Sequence, residues 1–305
     1  MRQTDIDDKR GELLASAGMS GNLVEAKVLH SWELSHVERL VLTDGTTLVF
    51  KCATEPFTHE HEALTAAWQA GVSVPRLVES LRSGTILAML MDDLGEPDRE
   101  ATDADGVTAA VQLHAAAVPP HLPPADSTWL ASLPQRAMRT LDLLNAQGRW
   151  SDADDIREAL RDIDRAAPQR AEGATTAPYG WVHSEFHPES LHVRESRVRL
   201  YDLARAFHGP GLLDLASWHG TVEAPDPNRT RALLEAYVEA GGSAGALTRR
   251  GGLKPQDWAL GWHRVWVLEW FLAQALVWIG DVSADPAYTN VVRRHTHDAA
   301  RLLNI

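Results

Sequence analysis

Three oxygen-bearing side chains stand close together in the second half of the sequence. Glu185 lies in a polar segment, Ser190 precedes one short apolar run, and Asp202 follows the next run. The two runs, Leu191 to Val193 and Val198 to Tyr201, are joined by a tight connection, which predicts a β-hairpin. Such a hairpin would bring the three side chains near one point. That arrangement suits a carboxylate that activates a nucleophile, beside oxygen ligands for a hard cation such as magnesium.

Histidines around the same segment suggest a second kind of site, a zinc centre. His183, His187 and His192 surround Glu185. Zinc hydrolases place a glutamate directly after the first histidine of a helix, in the pattern His-Glu-x-x-His. Here the glutamate stands two places after the histidine, and Pro188 argues against a helix. The pattern therefore does not favour zinc.

The elements that would position these side chains differ between the two ends of the chain. Towards the N-terminus, apolar or alternating runs predict strands over 23–29, 37–42, 46–50, 77–80 and 85–91. A helix is predicted over 58–70, with Thr58 as its N-cap and with Leu64, Ala67 and Trp68 on one face. An antiparallel sheet with one inserted helix would therefore fill the N-terminal part.

The rest of the chain has mostly helical periodicity. Predicted helices cover 106–118, 129–147, 152–166, 228–240, 255–280 and 285–303. One strand-rich segment, Gly180 to Asp202, interrupts them. The sequence thus predicts an α+β protein in which a small β-rich lobe is followed by a larger helical lobe.

Composition limits the classes of function. The 305 residues carry 29 basic and 42 acidic side chains, which gives a net charge of −13. A chain this acidic repels nucleic acid and anionic membranes and tolerates a cationic partner. The single cysteine, Cys52, excludes an internal disulfide. Neither a secretory signal nor an apolar run of spanning length is evident, so we expect a soluble cytoplasmic protein without nucleic-acid or membrane partners.

In order and spacing, the chemical segment resembles the catalytic region of the aminoglycoside phosphotransferase and choline kinase superfamily, which is related to protein kinases. His183-Ser184-Glu185 stands where that family has His-Gly-Asp, and Ser190 stands at the family's asparagine. Tyr201-Asp202-Leu203 stands at Ile-Asp-Trp, and Asp214-Leu-Ala216 matches Asp-Leu-Ala. The resemblance extends over roughly residues 20 to 240.

The N-terminal part carries the same resemblance. Lys51 follows an apolar run, as does the family's third-strand lysine. Measured from Val74-Pro75, Glu60 has the spacing of the family's helix glutamate and is favoured over Glu62. Ala88 to Leu94 resembles the hinge between lobes. The resemblance therefore implies a two-lobed, protein-kinase-like fold.

This fold would place a small antiparallel β-rich N-lobe at residues 1–91, a hinge at 92–95 and a helical C-lobe at 96–305. The resemblance also implies ATP and Mg²⁺ as cofactors, with the nucleotide between the lobes. Lys51, held by Glu60, would bridge the α- and β-phosphates.

The adenine contacts that the resemblance implies fall at the end of the last N-lobe strand. Met91 would lie behind the ring, and backbone groups of Asp92 and Leu94 would bond its edge. Together with Lys51 and Glu60, these residues form the expected nucleotide site.

The resemblance also assigns the catalytic roles. Glu185 would accept the proton of the acceptor hydroxyl, and His187 would donate to the transferring phosphoryl group. Ser190 and Asp202 would hold the magnesium ion. Asp214 would be a buried brace for the catalytic loop rather than a reactant.

Three departures from the family pattern support an alternative function. Glu185 is about 1.5 Å longer than the usual aspartate, and Ser190 replaces asparagine. The expected phosphate loop contains no glycine and would rely on the hydroxyls of Ser31 and Ser35. The alternative is a pseudokinase, a module that binds nucleotide or peptide and partners another enzyme without transferring phosphate.

Two classes of acceptor fit the implied reaction. One is a small hydroxylated molecule, antibiotic-like or an amino alcohol; the other is a Ser or Thr of a natural-product peptide, which would imply a partner lyase. The acidic chain favours a cationic acceptor. Acidic stretches at 91–105 and 151–164 are either solvated surface or part of that attraction.

A tryptophan stripe leaves one question about the acceptor site open. Trp258, Trp262, Trp266 and Trp270 recur every four residues and would lie along one side of a helix. The stripe predicts either a packed seam between helices or an aromatic wall of the acceptor site.

Overall fold

The computed structural model describes residues 2–221, 223–278 and 280–305. The strands are β1 (Leu23–Ser31), β2 (Ser35–Leu42), β3 (Thr47–Thr54), β4 (Leu77–Ser83), β5 (Ile86–Asp92), β6 (Tyr179–Val182), β7 (Leu191–Arg194), β8 (Arg197–Leu200) and β9 (Phe207–Pro210). The α-helices are α1 (Gln3–Ser16), α2 (Glu60–Gln69), α3 (Asp103–Ala115), α4 (Ser127–Ala146), α5 (Asp154–Arg170), α6 (Leu212–Ser217), α7 (Pro227–Glu239), α8 (Pro255–Ala273) and α9 (Asp285–Leu302). The predicted α+β class is confirmed.

Contacts divide the chain into two compact units. The first comprises Met1–Ala101 and Glu189–Ala206, and the second comprises Thr102–Pro188 and Phe207–Ile305. The first unit is rich in strands and the second in helices. The predicted division at 92–95 into two lobes stays a prediction.

A five-stranded antiparallel sheet forms the first unit, in the order β1-β2-β3-β5-β4. Strand β3 is central, because it pairs with β2 on one side and β5 on the other. Side chains that alternate along these strands form one buried face with Leu40, Phe50 and Leu90. A residue on β3 is therefore held from both sides.

Helix α1 was not predicted from the sequence. Its buried side chains, Ile6, Leu13 and Leu14, join the core of the sheet. The helix is otherwise polar, and three apolar residues over four turns give a weak periodic signal. Contact with the finished sheet, rather than local periodicity, stabilises this helix.

Helix α2 is present, but two details of its prediction are wrong. Thr58 is not the N-cap: the helix begins at Glu60, and the Thr58 hydroxyl donates to Glu55 Oε1 at 2.7 Å. Trp68 is 50% exposed. The buried face is centred on Ala63 and Ala67 and includes Glu60, so Trp68 falls outside it.

Helices α4, α5, α8 and α9 enclose a hydrophobic core of the second unit. Strand β9, which pairs with β6, and the short helix α6 were not predicted. The helix predicted to reach residue 280 ends as an α-helix at Ala273 and continues as a π-helical turn over Gln274–Trp278; residue 279 lies outside the described residues. None of the described helices is long and apolar enough to cross a membrane.

The tryptophan stripe of α8 has two different halves. Trp258 and Trp262 are fully buried, and both indole N–H groups donate to the Arg170 carbonyl, at 2.8 and 3.0 Å. Trp266 and Trp270 are only partly buried. The first half of the stripe is thus a core seam, as one of the two interpretations predicted.

Candidate active site

Lys51 projects from the central strand of the first unit into a pair of carboxylates. Its Nζ atom lies 2.7 Å from Glu60 Oε2 and 2.8 Å from Asp202 Oδ1. Glu62 instead lies beside His59, with Oε1 3.3 Å from Nδ1. Glu60 is therefore the α2 glutamate that pairs with Lys51.

These three side chains carry one more negative than positive charge when both carboxylates are ionised. Burial alone would lower the pKa of Lys51, but Asp202 and Glu60 outweigh burial and raise it, so the ammonium group stays charged. The Glu60 side chain is 2% exposed, whereas that of Asp202 is 43% exposed. Glu60 is thus a buried partner of Lys51, whereas the Asp202 carboxylate remains accessible to solvent.

The β7–β8 hairpin places Asp202 and Ser190 at its base. Glu195 and Ser196 form the turn with φ angles of 51° and 60°, a left-handed pair that suits a two-residue turn between twisted strands. At the other end, the Tyr201 N–H donates to the Ser190 carbonyl at 3.2 Å. Asp202 itself has a left-handed φ of 65°. The predicted hairpin, with Ser190 before it and Asp202 after it, is confirmed.

The predicted hinge is anchored within the first unit by two arginines. The Asp92 N–H donates to the Arg76 carbonyl at 3.0 Å, and the Asp92 carboxylate pairs with the Arg76 guanidinium at 3.2 Å. Arg194 of the hairpin donates to the Leu94 carbonyl at 3.0 Å. Met91, just before this segment, is buried. The three residues predicted to surround adenine therefore lie on a short, well-anchored stretch.

A polar network beside the β1–β2 turn, centred on the buried side chains of His36 and Glu38, was not predicted from the sequence. His36 Nδ1 lies 3.0 Å from Ser31 Oγ, and His36 Nε2 lies 2.9 Å from Glu38 Oε1. Arg10 of α1 donates to Glu38 Oε2 at 2.6 Å. The signal for it was available, because His36 and Glu38 fall on the same strand face as buried Leu40. The Ser31 hydroxyl, predicted to face phosphate, is thus oriented by His36.

In the second unit, the loop after β6 is held by one buried carboxylate. Asp214 of α6 is 0% exposed and accepts the N–H of His183 at 2.8 Å and the N–H of Ser184 at 3.0 Å. Ser184 has a left-handed φ of 76°, at the position where the resembling family has glycine. Asp214 is the buried brace that the sequence predicted.

A second layer supports that brace. His114 Nε2 lies 3.3 Å from Asp214 Oδ2, and His114 Nδ1 lies 3.3 Å from the Tyr237 hydroxyl. Burial, assisted by the charge of Asp214 and opposed by a hydrogen bond with Ser243, raises the pKa of Tyr237 to about 12. Gly211 allows this approach, because a Cβ atom there would come within 2.7 Å of the His114 ring.

The two residues predicted to act on the substrate lie at the end of the braced loop. Glu185 and His187 are partly exposed, on either side of the buried Phe186. The Ser217 hydroxyl donates to the Phe186 carbonyl at 2.7 Å, which fixes the chain between them. Their chemical roles, and their distances from the residues of the first unit, stay predictions.

Several solved structures share this fold. The choline/ethanolamine kinase family protein from Mesorhizobium loti is 16% identical, with 97% of this chain and 99% of that chain covered and a TM-score of 0.64. The macrolide 2′-phosphotransferase from Brachybacterium faecium is 18% identical, with 95% and 98% covered and a TM-score of 0.59. The amicoumacin kinase, solved with AMP-PNP, Ca²⁺ and Ami, is 11% identical, with 96% of each chain covered and a TM-score of 0.57. The predicted kinase-like fold class is confirmed.

The sequence itself identifies the family. A profile described as "Phosphotransferase enzyme family" matches residues 30–253. The chain belongs to this family and is a kinase-like phosphotransferase. No curated protein gives a significant sequence match.

Proposed function

We propose that this protein transfers the γ-phosphoryl group of ATP to a hydroxyl group, with the help of Mg²⁺. The observation that carries the proposal is Lys51, held at 2.7 Å by buried Glu60 and at 2.8 Å by accessible Asp202. Such an ammonium group can exchange Asp202 for phosphate oxygens while Glu60 keeps it in position. The AMP-PNP in the amicoumacin kinase structure supports a nucleoside triphosphate as the donor.

The hydrogen bonds already formed by the predicted hinge limit which of its backbone groups would contact the nucleotide. Lys51 would contact the α- and β-phosphates. The Asp92 N–H already donates to Arg76, and the Leu94 carbonyl already accepts from Arg194. The adenine edge would therefore donate a hydrogen bond to the Asp92 carbonyl and accept one from the Leu94 N–H.

The residues proposed for magnesium fit a hard divalent cation. Ser190 and Asp202 supply oxygen donors, the ligand type that Mg²⁺ prefers. The excess negative charge around Lys51 also favours a cation beside Asp202. When bound, the ion neutralises charge on the phosphate oxygens during transfer.

Glu185 is the proposed base. Its carboxylate would take the proton of the acceptor hydroxyl as the hydroxyl oxygen bonds to the γ-phosphorus. The bond from that phosphorus to the bridging oxygen breaks, and its electron pair leaves with ADP. His187 would donate a hydrogen bond to the transferring group. The extra methylene of Glu185 would place the acceptor about 1.5 Å farther from the loop than an aspartate would.

The acceptor in this proposal is a small hydroxylated molecule, antibiotic-like or an amino alcohol. The net charge of −13 favours one that carries positive charge. The names of the structural neighbours, a choline/ethanolamine kinase family protein and a macrolide phosphotransferase, support that class. A Ser or Thr hydroxyl of a natural-product peptide, later processed by a partner lyase, is the other class to be assayed.

The proposal is tested by separating nucleotide binding from transfer. We expect ATP to raise the melting temperature only when Mg²⁺ is present, and the wild-type chain to release ADP with a hydroxylated acceptor. Glu185→Gln should bind ATP equally well and transfer at least ~100-fold more slowly. ATP binding without ADP release from either protein, across small-molecule and peptide acceptors, would instead identify the pseudokinase.

A further inference from the structure

The second unit contains an open cavity lined by basic side chains. Its volume is about 340 Å³, and it lies among the loop before α8, the first turn of α8 and the C-terminal end of α9. Arg249, Lys254 and Arg301 line it, with Asp257 as the only carboxylate among the lining residues. Three cations to one anion is the reverse of the overall charge balance of this chain.

The three cations at this cavity differ in how far the protein neutralises them. Arg249 donates to the Gly252 carbonyl at 2.5 Å, and Arg301 pairs with Asp298 at 3.1 Å. Within the part of the chain that the structure describes, neither Arg249 nor Lys254 forms an ion pair with a carboxylate. Two positive charges beside the cavity are therefore not neutralised by the protein.

The backbone around the cavity is tightly packed. Gly251 and Gly252 have φ angles of 52° and 76°, and a Cβ atom at Gly251 would lie 2.3 Å from the Arg170 carbonyl. The Arg170 guanidinium donates to the carbonyls of Gly251 and Asn304, at 3.0 and 3.2 Å. This arginine thus ties the loop to the C-terminal end of the chain and holds the two sides of the cavity together.

Helix α8 adds to the positive potential. Its N-cap, Lys254, makes no side-chain capping bond, so the first N–H groups of the helix keep their partial positive charge beside the cavity. This effect is smaller than that of the side chains, but it has the same sign.

We propose that this cavity binds a phosphate monoester of a small polar molecule. Arg249, Lys254 and Arg301 would contact the phosphate, because guanidinium and ammonium groups form strong, charge-assisted bonds with phosphate oxygens. Asp257 and Asn304 would contact hydroxyl groups of the remainder. The volume is near the lower end of the range of about 300 to 1,000 Å³ usual for ligand sites, so it holds more than a bare phosphate ion.

This site is separate from the proposed catalytic machinery. None of its lining residues belongs to the nucleotide, metal or catalytic set. Its ligand is recognised as an anion, whereas the acceptor proposed for the transfer reaction is neutral or cationic. A failure of this proposal would therefore not contradict the proposed function, and a failure of the proposed function would not contradict this proposal.

The test is a titration of the 305-residue chain by calorimetry with glucose 6-phosphate, inorganic phosphate and glucose. We expect saturable binding of glucose 6-phosphate that weakens with added salt, and no binding of glucose. The Arg249→Gln/Lys254→Gln double variant should lose at least about tenfold in affinity, because it removes two charge-assisted bonds to the phosphate oxygens. Both side chains are exposed, so the fold should be unchanged.

Arg231→Gln is the matched control, because Arg231 is an exposed arginine of α7 that pairs with Glu235 and does not line the cavity. It should bind glucose 6-phosphate as the wild type does. Tighter binding of the ester than of inorganic phosphate supports the proposal. Equal loss in the control, no saturable binding of the ester, or preference for inorganic phosphate would each overturn it.

Discussion

The candidate functional residues of the two units are held in place by different kinds of bond. In the first unit, Lys51 is positioned by ion pairs between side chains, and one of these, with Asp202, is accessible. In the second unit, the loop that carries Glu185 is positioned by hydrogen bonds from its backbone to Asp214, which is fully buried. A ligand can replace one partner of an accessible ion pair. A hydrogen bond to a buried carboxylate is out of reach of a ligand, so it serves only to hold the loop.

This difference predicts which changes affect stability and which affect activity. A buried acceptor that is removed leaves two N–H groups without water or partner, which costs folding free energy. A half-exposed carboxylate that is removed costs little stability, because solvent already screens its ion pair. Substitution of the buried Asp214 should therefore mainly lower stability, and substitution of the half-exposed Asp202 should mainly lower the rate of phosphoryl transfer.

The largest expected effect is that of Asp214→Ala. We expect it to lower the free energy of unfolding by about 2 to 6 kcal/mol, since each of two buried N–H groups costs about 1 to 3 kcal/mol when unsatisfied. Chemical denaturation measures this loss. Asp214→Asn, which keeps one carbonyl oxygen, should lose less. Wild-type stability in Asp214→Ala would show that contacts other than those of the Asp214 carboxylate hold the loop.

Asp202→Asn should have the opposite profile. Transfer should fall at least ~100-fold, because the site would lose the charged oxygen that is proposed to hold Mg²⁺ beside the phosphates. The free energy of unfolding should change by less than about 1 kcal/mol. Steady-state kinetics and denaturation on the same preparation check both parts. A stability loss as large as that of Asp214→Ala would contradict the distinction between exchangeable and fixed partners.

A smaller effect is expected at His36, which orients the hydroxyl of Ser31 at the end of β1. His36→Leu should raise the KM for ATP about 3- to 10-fold with little change in kcat, since it removes about 1 kcal/mol of hydrogen bonding. His36→Gln should restore part of the affinity. Lys9→Gln, which breaks a partly exposed ion pair with Glu12 within α1, should leave KM unchanged; a similar rise there would point to a general effect of α1.

The smallest effect is expected at Ser184, whose left-handed φ of 76° lies in the braced loop. Ser184→Gly should raise the free energy of unfolding by up to about 1 kcal/mol, because glycine adopts this conformation without strain. The melting temperature should rise slightly as a result. Ser184→Ala keeps the strain and should show no gain. Calorimetry can resolve the two variants, and a less stable Ser184→Gly would mean that the hydroxyl contributes more than the strain costs.

Residue types and spacing were sufficient to predict much of this architecture. The strands of the sheet, the β7–β8 hairpin and most helices follow from periodicity that acts over a few residues. Helix α1, strand β9 and helix α6 did not follow from it. Each of them is short or poor in apolar residues, so its stability comes from surfaces that the rest of the chain supplies.

The same limit applies to the tryptophan stripe. Its four-residue repeat predicted one side of a helix, and α8 has it. Periodicity cannot tell how far a neighbouring element covers that side. The Arg170 carbonyl at the end of α5 accepts hydrogen bonds from the indole N–H groups of Trp258 and Trp262, which form the first half of the stripe. Trp266 packs instead on Trp129, at a ring distance of 5.3 Å, and remains partly exposed.

The family and the fold class follow from the amino-acid sequence alone, because motif order and local periodicity are properties of the chain. Which charged residues meet depends on the tertiary structure. Lys51 and Asp202 are 151 residues apart in sequence and 2.8 Å apart in space, and the brace between Asp214 and Ser184 spans 30 residues. Such contacts depend on how distant elements pack, and their strength depends on the burial that packing creates.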